Sequence, residues 1–328
     1  GAMSVICVTG CSGYLGRQVV KTLLEKNFAV TGIDLKDMNE PSVISNKKFT
    51  FIRGDIVQKD TVHKACKGVQ AIVHCAAALA QFVRDEKDMF AINVTGTKNV
   101  VEVCKELKIP QLVFISSVEV YGIDVPVPCS EDVPLQPVCP YGRHKVEGER
   151  MCTQLAEKGY GVSIVRPPTI NGPGQNEPFL VAQMEAVYKG SPVILPGGGK
   201  TKLQMVDVRD VANAIYLCLE KIKKGIIIAN VSSDNVPTTR QLVEALFKHA
   251  GKKPKIISVP AWIARTIVKG LSAIKLSPIE PQHLEIALRD YVFDNTRAKK
   301  LLGWQPEKSD IESTIDAYEY HINMRGWV

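Results

Sequence analysis

Long apolar runs are missing from this chain. No stretch of its 328 residues reaches the roughly 18 apolar positions of a membrane span, and nothing near the start reads as a signal peptide. Paired metal-ligand spacings are missing too. The nine cysteines are scattered and odd in number, which argues against a zinc site or a disulfide framework and predicts reduced thiols in a cytoplasmic protein. No basic run exceeds a few residues, so the net charge of +7 reads as a solvated surface and no nucleic-acid partner is expected. There is no internal repeat and no low-complexity tract. The composition that remains, 45% hydrophobic and 23% charged, is that of a globular chain able to form one large domain or two unequal ones. Gly1-Ala2 before Met3 reads as an expression-tag remnant and is set aside.

The most informative stretch runs from Val5 to Arg17, VICVTGCSGYLGR. An apolar run ends in Thr9 and Gly10. Gly13 and Gly16 follow at three-residue steps, with Ser12 just before Gly13, and a helix-compatible pattern opens at Tyr14 and Leu15. Strand, glycine turn, helix is the arrangement in which a backbone bends sharply enough to admit a diphosphate and offers it the N–H groups of a helix N-terminus. Cys11 inside the turn reads as a small residue beside the phosphate. A second apolar run, Phe28 to Ile33, ends in Asp34. A carboxylate at that distance can bind both hydroxyls of an adenosine ribose and repel a 2′-phosphate, which predicts NAD rather than NADP.

Strand and helix patterns then alternate, predicting a doubly wound parallel sheet with helices on both faces. Phe49–Arg53, Ala71–His74, Gln111–Ile115 and Val162–Arg166 read as further strands. Asp55, just past the third, could meet an adenine amino group or serve as a turn residue. His74 reads as packed against the sheet. Ala76, Ala77 and Ala78 after the fourth strand are small enough for a cofactor to lie on the backbone. A long helix is expected over Asp85–Leu107, with close packing at Gly96, whose cost inside a helix is about 1 kcal/mol. Val125 to Pro140 is too proline-rich for regular structure and is expected to shape a wall of the site. Further helices are expected near Phe179–Lys189, Val208–Lys221 and Thr238–Ala250. The segment Ala261–Ile274 is amphipathic and could cover a pocket, form an oligomer face or touch a membrane.

Tyr141 opens a helix after Pro140, and Lys145, four residues on, shares its face. With Ser117 at the end of the fifth strand these residues suit hydride transfer from an alcohol. A tyrosine of pKa near 10 is a poor base at neutral pH. A nearby ammonium and a positive nicotinamide would both favour phenolate, and a lowering by about three units corresponds to roughly 4 kcal/mol. Lys145 could also reach the nicotinamide ribose, and Ser117 could hold the substrate oxygen.

These motifs together resemble the extended short-chain dehydrogenases/reductases of the NAD-dependent epimerase/dehydratase group. The matching residues are Thr9–Gly16, Asp34, Asp55-Ile56, Asn93–Thr97, Ser116-Ser117 with Tyr121-Gly122, Tyr141–Lys145, Arg166–Pro168 with Gly172–Gly174, Val208–Ala212, and Leu302–Trp304 with Pro306. The resemblance implies a Rossmann-type NAD-binding domain over residues 3–168, with about 203–230 returning to it, and a substrate lobe of 169–202 and 231–328. It implies Ser117, Tyr141 and Lys145 as the catalytic set and NAD as cofactor. It adds Ile56, Asn93, Ser116 and Pro168 to the cofactor-binding residues, needs no metal, and implies a homodimer through the helices at Asp85–Leu107 and Tyr141–Gly159.

Leu203 stands where sugar-nucleotide epimerases of the group carry a diphosphate-binding arginine, and Thr169 replaces their asparagine. Leu203 and the apolar Ala261–Ile274 segment favour the 3β-hydroxysteroid dehydrogenase-like branch, with a UDP-sugar 4-epimerase as the alternative. Val118 stands where a dehydratase would carry an acid, with Glu119 one residue later, which argues against dehydration. A non-enzymatic NAD-sensing relative would often have lost the tyrosine or lysine; this chain keeps both.

Overall fold

The computed structural model describes residues 3–79, 83, 85–277 and 279–325. In the first half, strands β1 (Val5–Thr9), β2 (Ala29–Asp34), β3 (Phe49–Arg53) and β4 (Ala71–His74) alternate with helices α1 (Tyr14–Glu25), α2 (Pro41–Ile44) and α3 (Lys59–Cys66). Next come α4 (Glu86–Phe90), α5 (Gly96–Glu106), β5 (Gln111–Ile115), α6 (Pro140–Ala156) and β6 (Gly161–Arg166). Beyond these lie β7 (Thr169–Asn171), α7 (Pro178–Lys189), β8 (Val193–Pro196), β9 (Met205–Asp207), α8 (Val208–Lys221) and β10 (Gly225–Asn230). The chain continues with α9 (Thr239–His249), β11 (Ile256–Val259), α10 (Ala261–Ala273), α11 (Pro281–Ala287), α12 (Thr296–Leu302) and α13 (Asp310–Arg325).

Seven strands form one sheet in the order β10-β6-β5-β4-β1-β2-β3, every pairing parallel. Alternation along each strand feeds two cores. Ile6 and Val8 of β1, with Val113 and Ile115 of β5, join α1 and α8 on one face. Cys7, Leu112 and Phe114 join α3, α5 and α6 on the other. Strands buried on both faces read as nearly unbroken apolar runs, which is why the doubly wound sheet was legible. Between β1 and β4 the winding reverses, and the crevice beyond the carboxyl ends of strands at such a point is where this architecture binds ligands.

A separate core joins α7, β8, α9 and α13 through Met184, Val187, Leu195, Leu246, Phe247 and Tyr318. Strand β10 returns to the main sheet beside β6. Ala298, Leu302 and Trp304 also pack in the first core, although their stretch falls in the range expected for the substrate lobe; Trp304 Nε1 donates to the Asp210 carbonyl at 2.9 Å.

The helix expected over Asp85–Leu107 is continuous from its cap at Asp85 but contains a π-helical turn at Ala91–Thr95. Just beyond it, Gly96 meets Ile56 closely: a Cβ there would stand 2.5 Å from Ile56 Cδ1. No helix among the described residues is long and apolar enough to cross a membrane.

Candidate active site

The glycine turn leaves β1 at Gly10, whose φ of 65° is a left-handed conformation. A Cβ at Gly10 would stand 2.8 Å from the Ala76 backbone, and one at Gly16 only 1.9 Å from the Gly10 carbonyl oxygen. The turn is therefore folded against both its own helix and the strand exit beside it. Gly13 precedes α1 with no side-chain cap and no acid in the first turn, so the positive helix end stays open to an anion. The Tyr14 ring packs by Gly174, and Leu15 lies against the first core. What these two can offer a phosphate is backbone N–H. Cys11 is fully buried with its thiol pushed up to about 12 by burial, which leaves it the role of a small packed residue.

Asp34 terminates β2 beside this turn. Its Oδ2 accepts from the Ser12 amide at 3.0 Å and its Oδ1 from the Lys36 amide at 2.9 Å, while Ser12 Oγ donates to the Lys36 carbonyl at 2.8 Å. Each carboxylate oxygen retains a lone pair for a ribose hydroxyl. An open helix end, a cradle that any Cβ would fill and a fixed carboxylate at the next strand end fit a dinucleotide.

The opposite wall is the exit from β4. His74 is buried, and its Nδ1 lies 2.6 Å from Thr9 Oγ1 and its Nε2 2.8 Å from Thr97 Oγ1. Thr97 donates to the Asn93 carbonyl at 2.8 Å, so it must accept from His74, which assigns the neutral ring with its proton on Nε2. Burial lowers the His74 pKa to about 3, followed in size by the charge of Lys145. The structural role expected for His74 is the one found. Asn93 grips the wall directly: its Oδ1 accepts from the Ala78 amide at 2.8 Å and its Nδ2 donates to the Ala78 carbonyl at 2.9 Å.

Ser117 follows β5, and Lys145 of α6, close to the Tyr141 ring, reaches the end of the same strand. Ser117 caps a single 3₁₀ turn at Val118–Tyr121 and accepts from the Glu119 amide at 3.1 Å. The first turn of α6 presses on that 3₁₀ turn at Gly142, where a Cβ would come within 2.8 Å of the Glu119 carbonyl oxygen. Lys145 Nζ donates to the Ile115 carbonyl at 2.7 Å and lies 5.4 Å from the centre of the Tyr141 ring. Burial lowers the Lys145 pKa to about 8. The Tyr141 phenol is raised, by burial first and by the negative charge of Glu119 second. The lowering expected from the lysine and a positive nicotinamide together needs the nicotinamide: without cofactor, burial and Glu119 keep Tyr141 a proton donor at neutral pH.

Residues 6–232 match the model of the NAD dependent epimerase/dehydratase family. The chain belongs to this family. NAD is the family's cofactor, and its members are the enzymes that the sequence motifs resemble. The human sterol-4-alpha-carboxylate 3-dehydrogenase (decarboxylating) is 28% identical over 95% of this chain and 88% of its own. The UDP-glucose 4-epimerase of Mycolicibacterium smegmatis is 28% identical over 96% and 98%. Among solved structures, the UDP-glucose 4-epimerase of Thermotoga maritima with UDP-glucose superposes with a TM-score of 0.81, at 23% identity, over 98% of this chain and 99% of that one. This last likeness is one of fold.

Within this epimerase/dehydratase frame, several residues expected at the cofactor also hold the local structure. The Ser116 hydroxyl is buried and donates to Glu149 at 2.5 Å, so it has no proton left for a cofactor. Asn93 Nδ2 is committed to Ala78 and to His144 Nδ1 at 3.3 Å, which makes Asn93 the clamp of the alanine wall. Asp55 Oδ1 accepts from the Val57 amide at 3.0 Å, the turn role weighed against an adenine contact. Ile56 is buried against Gly96, and its carbonyl accepts from Asn99 at 2.9 Å. Pro168 is buried past the end of β6.

Sequence reasoning missed a buried network beneath the site. Arg166 Nε donates to Glu149 at 2.9 Å, Arg166 Nη1 donates to the Tyr121 hydroxyl at 3.0 Å, and that hydroxyl donates to Asn230 at 2.6 Å. Arg166 and Tyr121 stood in recognised motifs, but nothing local ties them to Glu149. Also missed was His283 of α11, whose Nε2 lies 3.2 Å from Glu119 Oε1. Leu203 packs with Val118, Tyr121, Tyr291 and Phe293, so an apolar cluster occupies the place expected of a diphosphate-binding arginine.

Proposed function

We propose that this enzyme transfers hydride between NAD and a secondary alcohol or its ketone on an apolar, sterol-like small molecule. The observation carrying the proposal is the Tyr141–Lys145 pair on one face of α6, fixed to the end of β5 by the 2.7 Å bond from Lys145 to Ile115. In this reading the Tyr141 phenol oxygen gives its proton to the ketone or takes it from the alcohol. Ser117 donates to the substrate oxygen, and Lys145 uses its remaining N–H groups on the nicotinamide ribose. Bound NAD supplies the hydride acceptor and, when oxidised, a positive ring that favours the phenolate. Gly10, Ser12, Gly13, Tyr14, Leu15 and Gly16 would cradle the diphosphate, Asp34 the adenosine ribose, and Asp55-Ile56, Ala76–Ala78 and Pro168 the flanks.

An apolar substrate is favoured by the packing of Leu203 and by the human relative, whose name describes a sterol dehydrogenase. The epimerase relative supports a second reading, a UDP-sugar 4-epimerase that holds NAD tightly and reduces its ketone on the other face. In both readings residues 3–168 with about 203–230 act as the NAD-binding unit, and 169–202 with 231–328 mainly hold the substrate. A homodimer through the α5 and α6 helices and a cytoplasmic setting complete the proposal; nine unpaired cysteines support the latter.

Tyr141→Phe tests the assignment. It should retain NAD affinity within about twofold and lose turnover by about 10²-fold or more, the size of a general-acid/base contribution. Unchanged turnover would remove Tyr141 from its role.

A further inference from the structure

We propose that α10 and its flanks form a docking surface for an anionic membrane interface. From position 245 to 279 the sequence carries seven Lys and Arg residues and no Asp or Glu, a local excess equal to the net charge of the entire chain. The same stretch holds the densest group of exposed large apolar side chains. Trp262 is 69% exposed, Ile267 51%, Ile274 61% and Leu276 69%. Ala264 and Val268 form the opposite side of the helix, buried with Leu284 of α11. So α10 spends one stripe on packing and turns Trp262, Ile267 and Ile274 outward.

The strand leading into it behaves alike: Ile257 of β11 pairs in register with Ile194 of β8, and both are exposed. Among the described residues, Lys248, Lys253, Lys269 and Lys275 have no ion-pair partner; Arg265 is paired with Glu285. An outward stripe of tryptophan and isoleucine bordered by unpaired lysines matches an interfacial helix, whose apolar side enters the acyl boundary while its cations meet lipid phosphates. A second copy of the same surface would set these lysines against each other. Charge complementarity therefore selects an anionic lipid leaflet over self-association.

Position adds consequence. Helix α11, packed beneath α10, carries His283 against Glu119, and Glu119 acts electrostatically on Tyr141. A membrane against the outward stripe of α10 would lie one helix from the proposed catalytic centre. The surface itself does not depend on the substrate reading.

The test is sedimentation of the full chain with phosphatidylcholine vesicles, with and without phosphatidylglycerol, at low and high salt. The protein should pellet with anionic vesicles only and be released by salt, and the tryptophan emission should shift to the blue. Trp262→Phe should abolish that shift and retain binding. Lys269→Glu should weaken partitioning by roughly fivefold or more, the share of one cation at such a surface. Trp262→Ser with Ile267→Ser should remove binding while leaving the circular dichroism and NAD affinity unchanged, since both positions are exposed. No pelleting with either vesicle would overturn the proposal, as would equal, salt-independent binding to neutral vesicles. So would a shift from dimer to monomer in the double variant without vesicle binding, which would assign the face to a second copy.

Discussion

At the scale of single residues, the proton chemistry turns on Glu119 as much as on Lys145. Glu119 raises the Tyr141 phenol, and its own carboxylate is shared with His283 at 3.2 Å. Removing the negative charge lowers the phenol pKa, so Glu119→Gln should move the rising limb of the oxidation pH–rate profile to lower pH. A profile that does not move would show that Glu119 has no electrostatic hold on Tyr141. Sequence reasoning reached Tyr141, Lys145 and Ser117 because each is anchored by a local pattern: a helix start after Pro140, a four-residue step, a strand end. It met Glu119 only as an acid one step past Val118, because the partner His283 is 164 positions away. The bond that Ser116 makes was out of reach for a related reason. Its place at a strand end is local, but the carboxylate that takes its hydroxyl proton belongs to the next helix.

At the scale of elements, α6 carries two sets of duties. Its start presents Tyr141 and Lys145, and one turn further Glu149 pairs with Arg166 at the end of β6, both side chains almost wholly buried. That pair also fixes Ser116 and, through Tyr121, reaches Asn230 of β10. The helix, the 3₁₀ turn and three strand ends are thereby tied together beneath the site. Glu149→Ala would leave the Arg166 guanidinium uncompensated in the interior and should cost about 3–5 kcal/mol in urea unfolding. Replacing Glu149 and Arg166 together with methionine should cost less than the sum of the two single changes. Additive costs would mean that the two charges act separately. Glycine positions were legible at this scale: Gly10 and Gly16 lie where backbone meets backbone, and Gly96 where Ile56 fills the space of a side chain. The π-helical turn at Ala91–Thr95 was not, since a hydrophobic pattern does not record that Asn93 must meet both backbone groups of Ala78.

At the scale of the whole molecule, the buried neutral His74 joins β1, β4 and α5 and links their packing to pH. Its pKa in the fold is about 3 against about 6.5 in an unfolded chain, so in that window only the unfolded state binds its proton. Its contribution is complete above pH 6.5 and is lost as acid is added, by about 1.4 kcal/mol per pH unit. Asp210 and Asp310, each raised to about 6 chiefly by burial, act in the opposite sense between about 6 and 3.8. Between pH 7 and 5 the His74→Gln variant should therefore lose about 2 kcal/mol less stability than the parent in urea titrations. Equal losses would place the histidine's charge elsewhere. The parallel sheet with helices on both faces follows from alternating patterns that every βα unit displays locally. The return of β10 to the sheet and of Trp304 to the first core does not, because both depend on contacts across the length of the chain.

Hydride transfer between NAD and an apolar alcohol at Tyr141 is the proposed reaction. The most direct measurement combines mass spectrometry of what the purified protein releases on denaturation with NADH formation against matched panels of sterol alcohols and sugar nucleotides. An exchangeable cofactor site and accumulation of NADH with an apolar secondary alcohol are predicted. Stoichiometric retained NAD, an epimerised sugar nucleotide and no net NADH would overturn the dehydrogenase assignment and establish an epimerase.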